Sequence, residues 1–193
     1  MKNFEIIADN IRARRSTKPA TLNGKIIAKK DIESLLELAN WAPTHAMTEP
    51  WRFIVYTGEG KTKFAQDQAE LYKKNTPEDK FMEATYQKLQ SNTTNASHVI
   101  VAIMKRGNNP KIPVLEEICA AAAAVQNILL GAEALGIAAL WSTGGLTFSP
   151  ILKDYLQLGE EDQVIGQLYL GYADSEKEGT RLSSGEAKTT WHE

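Results

Sequence analysis

The sequence predicts an α+β domain, a small sheet flanked by helices and organised around one long apolar helix. Three observations lead there. Four short runs rich in β-branched and aromatic residues are separated by helical patterns, but not in the strict alternation of a parallel chain. The first two of those runs are joined by a pair of polar helices. The stretch 113–136, PVLEEICAAAAAVQNILLGAEALG, carries only three charges, Glu116, Glu117 and Glu133. A helix apolar on nearly every face belongs inside the fold. Its length would be roughly 35 Å, about the width of a small domain.

Taken in order, Phe4, Ile7 and Ile11 mark one face of a first helix that runs to Ser16 and is broken at Lys18-Pro19. Asp31 is placed to cap a second helix, with Ile32, Leu35, Leu36 and Ala39 at helical spacing. A loop at 44–51, preceded by Pro43 and containing Pro50, leads into a strand at 52–57. Gly58-Glu59-Gly60 reads as a turn. Residues 61–74 and 78–90 read as polar surface or lid helices, since they hold many charges and few apolar residues. A buried strand is expected at 97–105, SHVIVAIMK. Gly136 is placed to end the central helix, and the strand IAALW follows. Ser149-Pro150 starts a short helix, and 164–172, VIGQLYLGY, is the last strand. The tail from Asp174 is polar and aperiodic. No repeat or linker interrupts the chain, so 1–193 reads as a single domain.

The 193 residues can enclose a core, and 42% hydrophobic with 24% charged residues is ordinary for a globular protein. A net charge of −2 gives no bulk electrostatic case for nucleic acid or an anionic membrane. The single cysteine, Cys119, excludes an intrachain disulfide and supplies no metal cluster. Its expected role is a small buried hydrophobe. The N-terminus has acidic residues where a signal peptide would be apolar, and the uncharged run 118–132 is too short to span a bilayer. A cytoplasmic protein is expected.

Candidate site residues fall in three places. Arg14-Arg15-Ser16 could bind a phosphate dianion through charge-assisted bonds. At this level the plainer reading, arginines favoring a helix C-terminus, is preferred. His45 lies in the proline-punctuated loop between Trp41 and Trp51. With no second histidine nearby in sequence it does not suggest a metal site, and hydrogen bonding to a ligand or plain loop packing are equally weighted. Trp141-Ser142-Thr143-Gly144 follows a buried strand, where a glycine loop can approach a planar ligand, or can simply turn the chain. FIVYTGEGKT is not a phosphate-binding loop, because Val55 stands where its first glycine is required. No nucleophile–base pair, metal cluster or paired carboxylates are evident, which suits chemistry carried by a phosphorylated cofactor.

The order of these motifs resembles the nitroreductase family of FMN-dependent flavoproteins, and its short, single-domain NAD(P)H nitroreductases above all. The resemblance runs from Arg14-Arg15-Ser16 through APTHAMTEPWRF at 42–53 and AAVQNILLGAEALG at 123–136. It continues through LWSTGGL at 140–146 to LYLGYA at 168–173. It implies a mixed central sheet flanked by helices with a long buried central helix, and a homodimer with two FMN sites at the subunit interface. Arg14, Arg15 and Ser16 would contact the phosphate and ribityl groups. Trp41 and His45 would reach FMN, from the partner subunit. Trp141, Ser142, Thr143 and Gly144 would lie along the flavin, with the Thr143–Gly144 backbone near N5 and stabilising charge on the reduced ring. Residues 131–136 would fall near a nicotinamide nucleotide.

The resemblance also implies a ping-pong reaction. NADH or NADPH delivers hydride to flavin N5, and an electron-poor acceptor such as a nitroaromatic or quinone takes the electrons. No side chain is assigned as a catalytic acid or base, and His45 is the one candidate proton donor. Met47 and Glu49 depart from the asparagine and glutamine many members carry, and Trp41 and Ser142 from arginines of the short relatives. Arg181 in the tail is the expected compensation at the phosphate. These departures motivate alternatives: an FMN storage or sensor module without efficient turnover, or an interaction protein that has lost the flavin.

Overall fold

The computed structural model describes residues 2–175 and 178–193. Its helices are α1 (Lys2–Ala13), α2 (Lys29–Ala39), α3 (Gly58–Asn75), α4 (Glu83–Ser91), α5 (Val114–Ala134) and α6 (Pro150–Tyr155). The strands are β1 (Trp51–Thr57), β2 (His98–Met104), β3 (Ala138–Ser142) and β4 (Gln163–Gly171). The strands form one sheet in the order β1-β2-β4-β3, with every neighbouring pair antiparallel. The parallel component is an isolated bridge between Ser16 and Ala139.

All seven residues of β2 are buried, so both faces of the sheet are covered. Alternation divides its side chains between two cores. Ile100, Ala102 and Met104 join α2 and α5 on one side, and Val99, Val101 and Ile103 join Phe64 and Leu152 on the other. The second core corrects the reading of 61–74 as a purely polar surface helix, because α3 buries Phe64, Ala65, Gln68 and Ala69. Gly58-Glu59-Gly60, expected as a turn, is already the first turn of α3.

α5 is long and apolar enough, by length and composition, to cross a membrane. Here it is a core helix, clamped between α2 and the sheet. Gly131 permits the closest approach to α2: a Cβ there would lie 2.6 Å from Leu38 Cδ1 and 2.8 Å from Leu35 Cδ2. The helix ends at Gly136 (φ +67°), where Gly136 N–H donates to Glu133 O and Ile137 N–H to Ala132 O. Those two bonds form a Schellman cap. Burial is not uniform, however. Leu115, Cys119 and Gln126 lie along an exposed stripe, so Cys119 is not the buried hydrophobe expected.

α1 departs further from expectation. Its apolar face finds no cover within the chain: Phe4, Ile6, Ile7 and Ile11 are all exposed, and no residue of the helix is buried. Asn10 ties it down by donating to Leu130 O at 3.0 Å. The predicted cap of α2 also fails. The helix begins two residues before Asp31, with Ala28 at the N-cap and no side-chain cap bond. Ser149 does cap α6, accepting from Ile151 N–H at 3.2 Å.

Two buried polar groups tie loops to this frame. Glu117 accepts from Arg106 Nη1 at 2.5 Å and from Gly107 N–H at 3.1 Å. Ser97 Oγ accepts from Ile27 N–H at 2.7 Å and lies 2.8 Å from His98 Nδ1. Burial, with the Lys61 ammonium nearby, holds the His98 ring below the usual histidine range. The folded chain therefore keeps His98 neutral where the unfolded chain takes up a proton. Stability is intact above the unfolded value, about 6.5, and is lost as pH falls from there through the lowered folded value. Thermal unfolding followed between about pH 7.5 and about pH 5 should show a falling midpoint, and His98→Gln should flatten that slope.

Candidate functional site

β3 is an edge strand, and the segment after α1 lies along its outer side. Thr17 N–H donates to Ala139 O at 2.9 Å, next to the Ser16–Ala139 bridge. That pairing brings Arg14, Arg15 and Ser16 beside the start of β3. Both arginines are half-buried, whereas Ser16 is exposed. Arg15 Nη1 donates to Arg14 O at 2.9 Å and also to Arg12 O. Arg15, Thr17, Glu133, Gly136 and Ala173 line a cleft of about 310 Å³. The tail crosses this point so closely that a Cβ at Gly179 would overlap the Arg15 guanidinium.

At its other end β3 carries Trp141 and Ser142 into an exposed loop, Thr143-Gly144-Gly145. The Trp141 indole does not project freely. It donates to Ile165 O at 3.1 Å and lies over Gly166, where a Cβ would overlap its ring. Gly144 is open: a Cβ there would meet only Ser142 Oγ, at 3.9 Å. Because Ala139 faces the outer edge, period-two alternation turns the backbone of Trp141, and then of Thr143, to the same unpaired side.

The loop before β1 carries local backbone strain. Ala46, Met47 and Glu49 all have positive φ, at 50°, 54° and 41°. Such a conformation costs on the order of 1 kcal/mol or more for each non-glycine residue. Thr44 Oγ1 braces it, lying 3.0 Å from Thr48 Oγ1 and accepting from Glu49 N–H at 3.2 Å. His45 Nδ1 lies 2.6 Å from Glu116 Oε2. With Nδ1–H donating to that carboxylate, Nε2 is left for a ligand. Trp41 is exposed, its indole donating to Glu37 Oε1 at 3.1 Å. Met47 is also exposed.

Within one chain the nine sequence-predicted residues do not converge. Arg14, Arg15 and Ser16 share the β3 edge with Trp141, Ser142, Thr143 and Gly144. His45 stands at the opposite end of α5, against Glu116, while the arginine cleft reaches Glu133. That stretch of helix spans roughly 25 Å. Trp41 lies between, in an apolar cleft of about 900 Å³ shared with Ile6, Ile7, Leu38 and Leu130. Of the segment 131–136, Gly131 is packed against Leu35 and Leu38, while Gly136 lines the cleft with Arg15.

Sequence reasoning missed Gln167, Gln68 and Thr147, which are buried beneath the glycine loop. Gln167 Nε2 donates to Gln68 Oε1 at 2.8 Å and to Thr147 Oγ1 at 3.2 Å. Thr147 Oγ1 in turn donates to Gly144 O at 2.7 Å. The available signal was a glutamine inside an otherwise apolar strand, since a buried amide requires partners.

This arrangement of motifs is matched in known proteins. Residues 11–172 fit the model of the nitroreductase family. The chain belongs to that family. It is 28% identical over 171 residues to the Escherichia coli K12 protein named "Putative NAD(P)H nitroreductase YdjA", covering 89% of this chain and 88% of that one. A nitroreductase-like family protein from Bacillus cereus superposes with a TM-score of 0.80 at 29% identity, over 97% of this chain and 96% of that one. A Bacteroides fragilis nitroreductase with bound FMN shares the fold at a TM-score of 0.70 and 22% identity, over 97% and 98% of the two chains. The nitroreductase-like α+β architecture expected from the motifs is thus the one observed.

In this nitroreductase-family chain the Trp141–Gly166 packing makes a direct test. Gly166→Ala should force the indole off Ile165 O and destabilise the fold by about 1–3 kcal/mol in a denaturant titration.

Proposed function

We propose that this chain is an FMN-dependent oxidoreductase that takes electrons from NADH or NADPH and passes them to an electron-poor acceptor such as a nitroaromatic or a quinone. The observation that carries this reading is the pairing of Ser16 and Thr17 with Ala139. It aligns the arginine cluster and an open glycine loop along one strand. Three to five strand residues separate them, on the order of 10–15 Å. FMN has that form, a phosphate dianion at one end and a planar ring at the other. The open space at Gly144 and the two half-buried guanidiniums fit it. The family membership and the FMN held by the Bacteroides fragilis protein of the same fold support the same cofactor.

Arg14, Arg15 and Ser16 would hold the phosphate by charge-assisted hydrogen bonds. Gly179 against Arg15 brings the tail alongside, and Arg181, two residues on, would add a third guanidinium. Ser142, Thr143 and Gly144 would present backbone groups to the ring edge. FMN, when bound, supplies the transfer of electrons between nicotinamide and acceptor. The protein would position both and would offer His45 as the group able to move a proton at Nε2.

A homodimer completes this site. His45 sits against Glu116, at the opposite end of α5 from the arginine cleft of its own chain, and a twofold axis would bring the His45 and Trp41 of a second copy to that cleft. The exposed apolar residues of α1, with Leu38, Trp41 and Leu115, are the surface such a copy would bury. Sedimentation should therefore give twice the 21.4 kDa chain mass. Ile7→Glu should yield monomer and lower FMN retention at least tenfold.

The reading itself is tested by the visible spectrum of purified protein during anaerobic addition of NADH and NADPH. The expected result is a yellow protein that bleaches within mixing time and recovers with a quinone. Yellow protein that stays oxidised would indicate storage or sensing. Protein that remains colourless with added FMN would overturn the assignment.

A further inference from the structure

Beneath the exposed glycine loop lies a buried polar relay. Gln68, Thr147, Gln167 and Tyr169 are all buried, and each is hydrogen-bonded to another of the group. The direction of donation is determined by chemistry. Gln167 Oε1 accepts from Tyr169 OH at 3.1 Å and from Gln68 Nε2 at 3.3 Å. Its amide nitrogen donates to Gln68 Oε1 and Thr147 Oγ1. Thr147, having accepted that bond, spends its own hydrogen on Gly144 O at 2.7 Å. A carbonyl has no hydrogen to return, so the chain of donors ends there.

The consequence falls on one peptide unit. The described residues contain no cis bond, so the N–H of Gly145 points opposite to the carbonyl of Gly144. Pulling that carbonyl inward onto Thr147 turns the Gly145 N–H outward, on the exposed side of the loop. The left-handed φ of Gly145, +64°, maintains this orientation. Leu89 of α4 backs the same residue, because a Cβ there would lie 3.0 Å from Leu89 Cδ2.

We propose that Thr147, Gln167 and Gln68 are positioning residues that orient the Gly144–Gly145 peptide so that its N–H meets the edge of the bound flavin ring. This rests on the FMN reading above. None of the three touches the cofactor. They act through one carbonyl, Gly144 O, which also accepts from Thr147 N–H at 3.4 Å. Because that carbonyl can only accept, it takes the hydrogen of the Thr147 hydroxyl, and the amide of Gln167 donates to Thr147 Oγ1 behind it. A threonine free to rotate could equally accept from a loop N–H, reversing the peptide and presenting a carbonyl to the ring.

The test compares Thr147→Val, which keeps the shape and removes the hydroxyl, with Thr147→Ser, which keeps it. Wild-type protein with added FMN is the reference. Thr147→Val should keep its cooperative unfolding, weaken FMN binding about tenfold and move the visible bands of bound FMN toward those of free FMN. Thr147→Ser should restore affinity to within about twofold and restore the spectrum. Wild-type affinity and spectrum in Thr147→Val would overturn the proposal, as would loss of both in Thr147→Ser with cooperative unfolding kept. Should Thr147→Val fail to fold, amide exchange by NMR on the wild type decides: FMN should slow exchange at Gly145, and an unchanged Gly145 amide in FMN-saturated protein overturns the proposal. Wild-type protein that binds no FMN would instead remove the cofactor reading on which this rests.

Discussion

Burial of the central strands on both faces is the constraint from which the rest of this structure follows. β2 and β4 have strand neighbours on both edges and helices on both faces, so nearly all their side chains must be apolar. One long helix without a thick polar stripe, α5, covers one face. A shorter amphipathic one, α3, covers the other. Whatever is polar in that interior must be fully paired. Glu117 with Arg106 and the Gln68–Gln167–Thr147 relay both meet that condition, and among the described residues no buried side-chain polar atom lacks a partner.

The outer elements are unfinished by comparison, and their lack of closure has a common direction. β3 is an edge strand covered over only part of its length. α1 presents isoleucines to solvent. The loop 44–49 holds three left-handed non-glycine residues. Each would be a liability in an isolated monomer. On the function proposed above they are two half-sites, an arginine cluster with a glycine loop and an aromatic loop with a histidine, that a second copy would join. Strain in the loop fits this arrangement, since such geometry persists where surrounding structure over-determines it.

The legibility of the chain follows from how local each signal was. Strand positions, the end of α5 at Gly136 and the cap at Ser149 were readable because each depends on a few neighbouring residues. The nature of α3 was not, because charges at 59–74 obscured one narrow face carrying Phe64 and Ala65. Cys119 was misplaced because composition reports how apolar a helix is, not which side lacks a neighbour. The resemblance placed Trp141 along a ligand but did not show how it is held: its indole is anchored to Ile165 O above Gly166, a pairing 24 residues apart that no local pattern encodes.

The sequence by itself determined the family, the two-sided sheet and the types of residue available for an anion and a planar ring, since periodicity and short motifs are properties of neighbouring residues. Only the tertiary structure decided which of those residues meet. The Ser16–Ala139 pairing, the separation of His45 from the arginines by the length of α5, and the amide relay under Gly144 join segments far apart in the chain. Their partners are chosen by packing rather than by spacing, and packing is settled only when the whole chain has folded.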